Sequence, residues 1–339
     1  MGVSLRVLSE LVCPMCKNTL DFQQPLSSRP ETVLPSSLLC KGCAQLFPVS
    51  ESMVSFVKDL RNQKSTASNY GFAWKAFWKG FFDKADVFGL SFSETAQYFL
   101  SRIGLNHEDL RGLKILDAGT GSGRIPISLR NAACTVYAVD IHESLDLVAQ
   151  NFKDTDTAHF FRADLFDLPF KDNFFDIAWS SGVIMITPDP AKAFAAIARK
   201  VKPGGRLFVS VYGKDRHHYR LFRHLLPFTR HLPVYVTYFL SALIAAPLYI
   251  AFNTALLLVR GLYSYKKPPY RFLGFGIEDI SYKSYGSILL NLFDQLHPRY
   301  QTEHSIDEVH GWFAANGFQQ TVVVESIGMV GIRGVKHHT

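Results

Sequence analysis

LKILDAGTGSGRIPISL, residues 113–129, is the stretch whose reading decides the fold. Lys114 to Leu116 read as a short buried strand. Asp117, Gly119, Gly121 and Gly123 form a tight turn, and a helix is expected from near Ile125. Glycines are required where the backbone must come close to a ligand. A lone G-x-G-x-x-G would say little. Here the acidic residue precedes the glycines, and no third glycine stands where a dinucleotide pyrophosphate would pack. The loop points away from NAD and toward a nucleoside without a diphosphate.

The sequence downstream keeps the same rhythm. CTVYAVD is a second apolar strand ending in Asp140, a position that suits a ribose diol. HFFRADLFDLPF gives a third strand, with Asp164 placed to meet an adenine amino group. FFDIAWSSGVIMI is a fourth. DPAKAFAAIARKVKPGG is a helix closed by a Pro-Gly-Gly turn, and RLFVSVY is a fifth strand. Near the end, SIDEVHGWFAANGF is an amphipathic helix, and QQTVVVESIG and MVGIRGV are two more strands. Such alternation predicts a mostly parallel sheet with helices on both faces and ligands at its C-terminal edge.

In their order, LDAGTGSGR, AVD, ADLFDLPF, FDIAWSSGV and VKPGGRLFVSVY resemble the class I S-adenosylmethionine-dependent methyltransferases. The resemblance covers about residues 70–212 and 300–333. It implies an α/β fold: a seven-stranded Rossmann-like methyltransferase sheet. It places Asp117, Gly119 and Gly121 beside the methionine moiety, Asp140 with Ile141 at the ribose, Asp164 and Leu165 at the adenine, and Ser180 near the cofactor edge. The aromatic stretch NYGFAWKAFWKGFFDK, before the glycine loop, is expected to form a helix over the cofactor, with Tyr70 and Trp74 as candidate lid contacts. One departure stands out. Relatives often read GVLHHTPDP where this chain has GVIMITPDP, so Met185 and Ile186 replace two histidines. They are read either as an apolar mouth for an apolar acceptor or as a core substitution.

CPMC (13–16) and CKGC (40–43) are two knuckles, each presenting a pair of thiolates to one tetrahedral ion. Cys13, Cys16, Cys40 and Cys43 are expected to hold a structural Zn2+ with no position open for catalysis. Cys134 is expected to be a core residue. LVCPMCKNTLDF and LLCKGCAQLFPVSESMVSFV resemble the zinc-ribbon domain that activates or prefixes many methyltransferases. The expected division is therefore a ribbon over 1–60, a methyltransferase domain over 61–212 and 300–339, and an insertion over 213–299.

The chain carries a formal charge of +7, and its excess sits in the insertion: residues 213–305 hold eleven basic side chains against five acidic ones, whereas residues 1–60 balance at five and five. A local basic field favours anionic partners. Within it, Pro233 to Val259 runs without one charge. By length this run could cross a bilayer, but a single crossing would separate the last two strands from the first five. Pro247 is expected to divide it into two helices, about 232–245 and 248–259. The run is read as a buried hairpin, a substrate lid or a membrane-interface element, with cationic flanks suited to an anionic surface. No secretory signal is seen at the start, so cytoplasmic residence, peripheral at the membrane, is the expectation.

Methyl transfer from a sulfonium needs chiefly an aligned acceptor and, for some acceptors, a base. His217, His218, His297 and His304 are the base candidates, with Tyr212 as a hydrogen-bonding partner. HPRYQTEHS (297–305) resembles a stretch that recurs in relatives of this layout, and makes Arg299, Tyr300 and His304 the preferred acceptor-side set, with His217 beside the ligand edge. The expected acceptor is a hydrophobic small molecule or a lipid-like one. Two other readings stay open: an RNA methyltransferase gripping RNA with the ribbon, and a non-catalytic activator or scaffold with a vestigial fold. The ribbon's neutral charge disfavours nucleic acid, and WSSG stands where a nucleobase-presenting N-P-P-Y type motif would be. The sequence does not fix the oligomeric state.

Overall fold

The computed structural model describes residues 5–23, 37–50, 52–57, 64–80, 92–152, 155–216, 220–262, 271–272, 275–276, 285–325 and 328–338. Contacts divide the chain into two units: 1–74, 92–219 and 299–339 form the first, and 75–91 with 220–298 form the second.

The first unit opens with a short helix α1 (Leu5–Leu8) and an antiparallel sheet of β1 (Leu20–Gln23), β2 (Ser37–Cys40) and β3 (Leu46–Pro48), ordered β1-β2-β3. The main sheet contains β4 (Met53–Ser55), β5 (Lys114–Ala118), β6 (Thr135–Asp140), β7 (Ala158–Arg162), β8 (Phe175–Ser181) and β9 (Val201–Tyr212). After a two-residue hairpin, β10 (Arg271–Phe272) with β11 (Phe275–Gly276), which belongs to the second unit, the main sheet ends with β12 (Phe318–Glu325) and β13 (Met329–Lys336). Its order is β12-β13-β9-β8-β5-β6-β7-β4. Only β13 runs against its neighbours β9 and β12; the other pairs are parallel.

The Rossmann-like sheet expected from the sequence is present, with an eighth strand. Met53–Ser55, which follows the cysteine-bearing segment directly, pairs in parallel with β7, and Phe56 N donates to Arg162 O at 2.7 Å. The second difference concerns the Pro-Gly-Gly expected to end a helix. Helix α6 (Pro190–Lys200) stops just before it, and β9 begins at Val201. Phe175 pairs with Val201 and Ile177 with Arg206, so two steps on β8 are matched by five on β9. The surplus holds Pro203-Gly204-Gly205 as a bulge, with Gly204 at a φ of 76°.

The remaining helices of this unit are α2 (Lys64–Trp78), which continues into the second unit, α3 (Phe92–Ile103), α4 (Arg124–Ser128), α5 (Leu145–Ala149) and, near the end of the chain, α10 (Ile306–Ala315). One core runs through the unit. Leu8, Leu20, Leu38 and Phe47 of the cysteine-bearing segment bury in the same cluster as Tyr137, Phe161, Phe170 and Phe175 of the sheet. Polar ties reinforce the join: Val12 N donates to Pro169 O at 3.0 Å, and Glu10 accepts from Lys114 Nζ at 2.7 Å and from the Tyr137 hydroxyl at 2.5 Å. At the opposite edge, the Glu325 carboxylate accepts from Ser210 Oγ at 2.7 Å, Arg102 Nε at 3.0 Å and the Tyr98 hydroxyl, fastening α3 to β9 and β12.

The second unit is built on α7 (Arg220–Thr229), α8 (Val234–Leu262) and α9 (Tyr285–Leu296). The two helices expected on either side of Pro247 are one helix of 29 residues with Pro247 inside it. A proline deletes one donor and crowds one carbonyl. The surrounding Leu, Ile and Ala supply enough helix preference to carry the backbone through. Along α8 a stripe of small side chains, Thr237, Ser241 and Ala245, is fully buried, and the helix packs against α9. Small residues at a helix contact allow close approach. Tyr285 Oη donates to Ala242 O at 3.1 Å, and the Tyr238 and Phe293 rings lie 6.3 Å apart. The large side chains point the other way: Tyr235, Phe239, Leu243 and Ile250 are 66%, 61%, 56% and 64% exposed. Among the described residues, α8 is the one helix long and apolar enough to span a bilayer. The insertion that contains it leaves from β9 and returns to β12 and β13 of the same sheet, which excludes a single pass with the sheet intact.

Candidate functional site

The C-terminal ends of β5 and β6 bring the glycine loop and its carboxylates together. Asp117 is the penultimate residue of β5 and is buried. Gly119 follows with a φ of 91°, and Gly121 has a φ of 54°, both in the left-handed region that favours glycine. Side chains could not be added here: a Cβ on Gly119 would stand 2.3 Å from Val183 Cγ2, and one on Gly121 would stand 3.0 Å from Trp74 Cζ2. Asp140 closes the loop from β6. Its Oδ2 accepts from Gly121 N at 2.8 Å, and its Oδ1 from Ile141 N at 2.8 Å and His142 N at 3.4 Å.

Helix α2 lies over this loop, as the aromatic stretch suggested. Trp74 is buried against Gly121, and Ser144 Oγ donates to Gly71 O at 2.6 Å. Two residues not singled out in the sequence complete the support. His142 is fully buried, with Nε2 3.1 Å from Gly121 O and Nδ1 3.4 Å from Ser144 Oγ. Burial holds its pKa below the usual histidine range, so the ring stays neutral. The available signal was position alone: IHES follows the acidic strand end directly.

Asp164 and Leu165 stand after β7. The Asp164 side chain caps a short 3-10 turn, accepting from Phe166 N at 3.0 Å, and Leu165 is buried. Ser180 is buried within β8 and donates to Ala118 O at 2.9 Å, so its hydroxyl is used in joining β8 to β5.

The residues fit an S-adenosylmethionine cradle. Three buried polar atoms on the glycine loop, Asp117 Oδ2, Thr120 Oγ1 and Ser122 Oγ, lack hydrogen-bond partners, as expected if a polar ligand completes them. Burial, helped by the charge of Asp140, pushes the Asp117 carboxyl up to about 7. A cationic ligand would restore its ionised form. The unfolded value lies near 4. The folded chain therefore holds an extra proton between the two values and loses stability as pH rises from about 4 to about 7, by up to roughly 4 kcal/mol. Asp117→Asn removes that loss. In urea unfolding without ligand, the variant is expected to match the parent near pH 4 and exceed it at pH 8. A difference that does not change with pH would show that Asp117 ionises freely.

The four cysteines converge as expected. Cys13 Sγ lies 3.7 Å from Cys43 Sγ, Cys16 Sγ lies 3.3 Å from Cys40 Sγ, and all four sulfurs fall within 4.8 Å of one another. A tetrahedron with Zn–S bonds of about 2.3 Å has edges of about 3.8 Å. The two knuckles are built alike. Lys17 N donates to Cys13 O, Ala44 N donates to Cys40 O, and Lys17 and Ala44 both take positive φ. The donor set fits structural zinc.

In the segment expected from the sequence to meet the acceptor, the guanidinium of Arg299 lies 5.7 Å from the Tyr300 ring centroid, and His304 follows. This segment crosses the ends of β8 and β9: Thr302 N donates to Met185 O, and His304 N donates to Tyr212 O at 2.8 Å. Both nitrogens of the buried His304 ring are engaged, Nε2 with Thr302 Oγ1 at 2.8 Å and Nδ1 with Glu308 Oε1 at 2.7 Å. The ring is thus clamped in place. Thr302 and Glu308 were not picked out in the sequence, since polar residues near a histidine carry no distinctive spacing. Met185 and Ile186 are core residues and do not line an open mouth: Met185 is fully buried and Ile186 nearly so. His217 lies outside the described residues.

Residues 116–209 match the methyltransferase domain family. A malonyl-[acyl-carrier protein] O-methyltransferase of Buchnera aphidicola is 34% identical over 103 residues, covering 30% of this chain and 41% of the relative. A demethylmenaquinone methyltransferase of Clavibacter sepedonicus is 32% identical over 99 residues, covering 29% and 40%. The chain thus spans about two-fifths of the length of these curated relatives. A chain of the complex between the Haloferax volcanii Trm112 methyltransferase activator and a methyltransferase matches with 18% identity and a TM-score of 0.48, over 80% of this chain and 98% of that one. Residues 116–209 thus match a methyltransferase domain, and the N-terminal four-cysteine segment that precedes them fits a zinc ribbon.

Proposed function

We propose that this protein transfers a methyl group from S-adenosylmethionine to a hydrophobic, lipid-like small molecule, working at the cytoplasmic surface of a membrane. The observation that carries the reading is the union, in one chain, of the Asp117–Asp140 glycine-loop cradle with a helix whose large apolar side chains face outward. S-adenosylmethionine supplies the electrophilic methyl group. The chain's own part is to hold it: Asp140 fixes the loop, Trp74 covers Gly121, and the 299–304 segment presents Arg299 and Tyr300 beside the strand ends.

Two of the relatives' names support the lipid-like part of this reading: one acts on demethylmenaquinone and another serves ubiquinone biosynthesis, and both quinones are lipid-like. Tyr235, Phe239, Leu243 and Ile250 suit the headgroup boundary of a bilayer. The cationic flanks, Arg220, Arg223 and Arg230 before α8 and Arg260, Lys266 and Lys267 at and after its end, suit anionic lipid. The test combines two measurements on the full chain. It is expected to sediment with phosphatidylglycerol vesicles, less so as salt rises, and to place label from radioactive S-adenosylmethionine in a solvent-extractable molecule of a cell extract. Phe239→Asp with Ile250→Asp is expected to release it from vesicles while it still binds S-adenosylmethionine. Label confined to RNA, or a double variant that sediments like the parent, would refute the proposal.

A further inference from the structure

Helix α9 is buried on several sides. Leu289, Leu290, Leu292, Phe293 and Leu296 are all buried apolar residues, and His297 follows as the chain leaves the helix. His297 is only 3% exposed, stacks on Phe293 with ring centroids 4.8 Å apart, and has no hydrogen-bond partner at either Nδ1 or Nε2. Facing helix α8 holds a second such group. Thr237 is fully buried and its hydroxyl is also unpartnered. Phe293, on which His297 stacks, meets the Tyr238 ring of α8, and Thr237 precedes Tyr238 in that helix.

Buried polar groups in folded proteins are nearly always paired. A leucine or phenylalanine would serve an apolar helix contact better than an imidazole with two bare nitrogens. We propose that His297 and Thr237 are the polar contacts of a binding site within this unit for an apolar molecule that carries a hydroxyl group. If the methyl-transfer reading above holds, that molecule is the acceptor. The hydroxyl follows from the ring's chemistry. A neutral imidazole offers one donor and one acceptor, and a phenol, enol or alcohol answers both. Burial lowers the His297 pKa to about 4, so the ring offers no positive charge to a carboxylate. The aromatic and aliphatic neighbours suit the apolar body.

The test uses the full chain with nitrogen-15-labelled histidine and 1-naphthol as the probe, naphthalene and 1-naphthoate serving as comparisons. Millimolar 1-naphthol is expected to move the His297 ring signals, and to bind at least tenfold more tightly than either comparison. His297→Phe keeps the ring stacking and removes the bare nitrogens. It is expected to weaken 1-naphthol at least tenfold while its melting temperature stays equal or rises by a few degrees. His297→Gln, which restores a donor and an acceptor, is expected to stay within about fivefold of the parent, and guards against a phenylalanine variant that fails to fold. Unmoved ring signals, or unchanged affinity in both variants, would overturn the site. Calorimetry with S-adenosylmethionine on the same samples separates this result from the enzyme reading: a chain that binds 1-naphthol through His297 but never binds S-adenosylmethionine keeps the site and loses the methyl transfer.

Discussion

Asp140→Ala is expected to weaken S-adenosylmethionine binding by on the order of 100-fold or more. The carboxylate does two things at once. It accepts from three backbone amides, which sets the path of the glycine loop against the end of β6. A carboxylate has about four lone-pair positions, so it also retains capacity for a ribose hydroxyl. Hydrogen bonds to a charged partner contribute about 1.5–3 kcal/mol each. Loss of the loop's support as well as a ligand contact accounts for the size of the effect. Asp140→Asn keeps acceptor capacity without the charge and is expected to fall between parent and alanine variant. Calorimetry with S-adenosylmethionine reads the result directly, and an alanine variant within threefold of the parent would remove Asp140 from the cofactor site.

Removal of the metal is expected to have the other large effect. The purified chain should contain one zinc per molecule. Stripping it with a strong chelator is expected to lower the melting temperature by more than about 10 °C, because structural zinc is worth on the order of 10 kcal/mol in small sites. The loss would spread beyond the ribbon. Leu38 and Phe47 share a core with Phe161 and Phe170, and Glu10 is tied to both Lys114 and Tyr137. Without the metal, the Cys13–Cys43 and Cys16–Cys40 approaches lose the ion that would bind all four sulfurs together. Cys16→Ser and Cys43→Ser are each expected to reproduce much of the effect. A metal-free chain that melts within a degree or two of the loaded one would show that the cysteines do not support the fold through zinc.

Much of this architecture is legible from local sequence. The glycine loop, Asp140 and the cysteine knuckles are short patterns whose chemistry fixes their geometry, and the apolar strands between them have the run lengths of a parallel sheet. What escaped the sequence depends on distant partners. Met53–Ser55 is too short to read as a strand alone and becomes one only beside β7. Pro247 signals a break, yet α8 runs through it, because a single missing donor does not outweigh a long run of good helix formers. Met185 and Ile186 offered two readings that only burial could separate. The clamp on His304 joins residues from the end of β8, the return segment and α10, and no spacing in the sequence announces it.

The clamp has a further consequence. Gly213 and His304 form a parallel bridge, and His304 N donates to Tyr212 O, so the chain's exit from the sheet and its return lie side by side. Ninety residues leave and re-enter through one narrow doorway. A segment attached in this way behaves as a cassette: it could be exchanged for another, or replaced by a short turn, with little change to the strands that flank it. Evolution could therefore retune what such a chain acts on by swapping the cassette while the methyl-donor cradle stays untouched, and a protein engineer could use the same two attachment points.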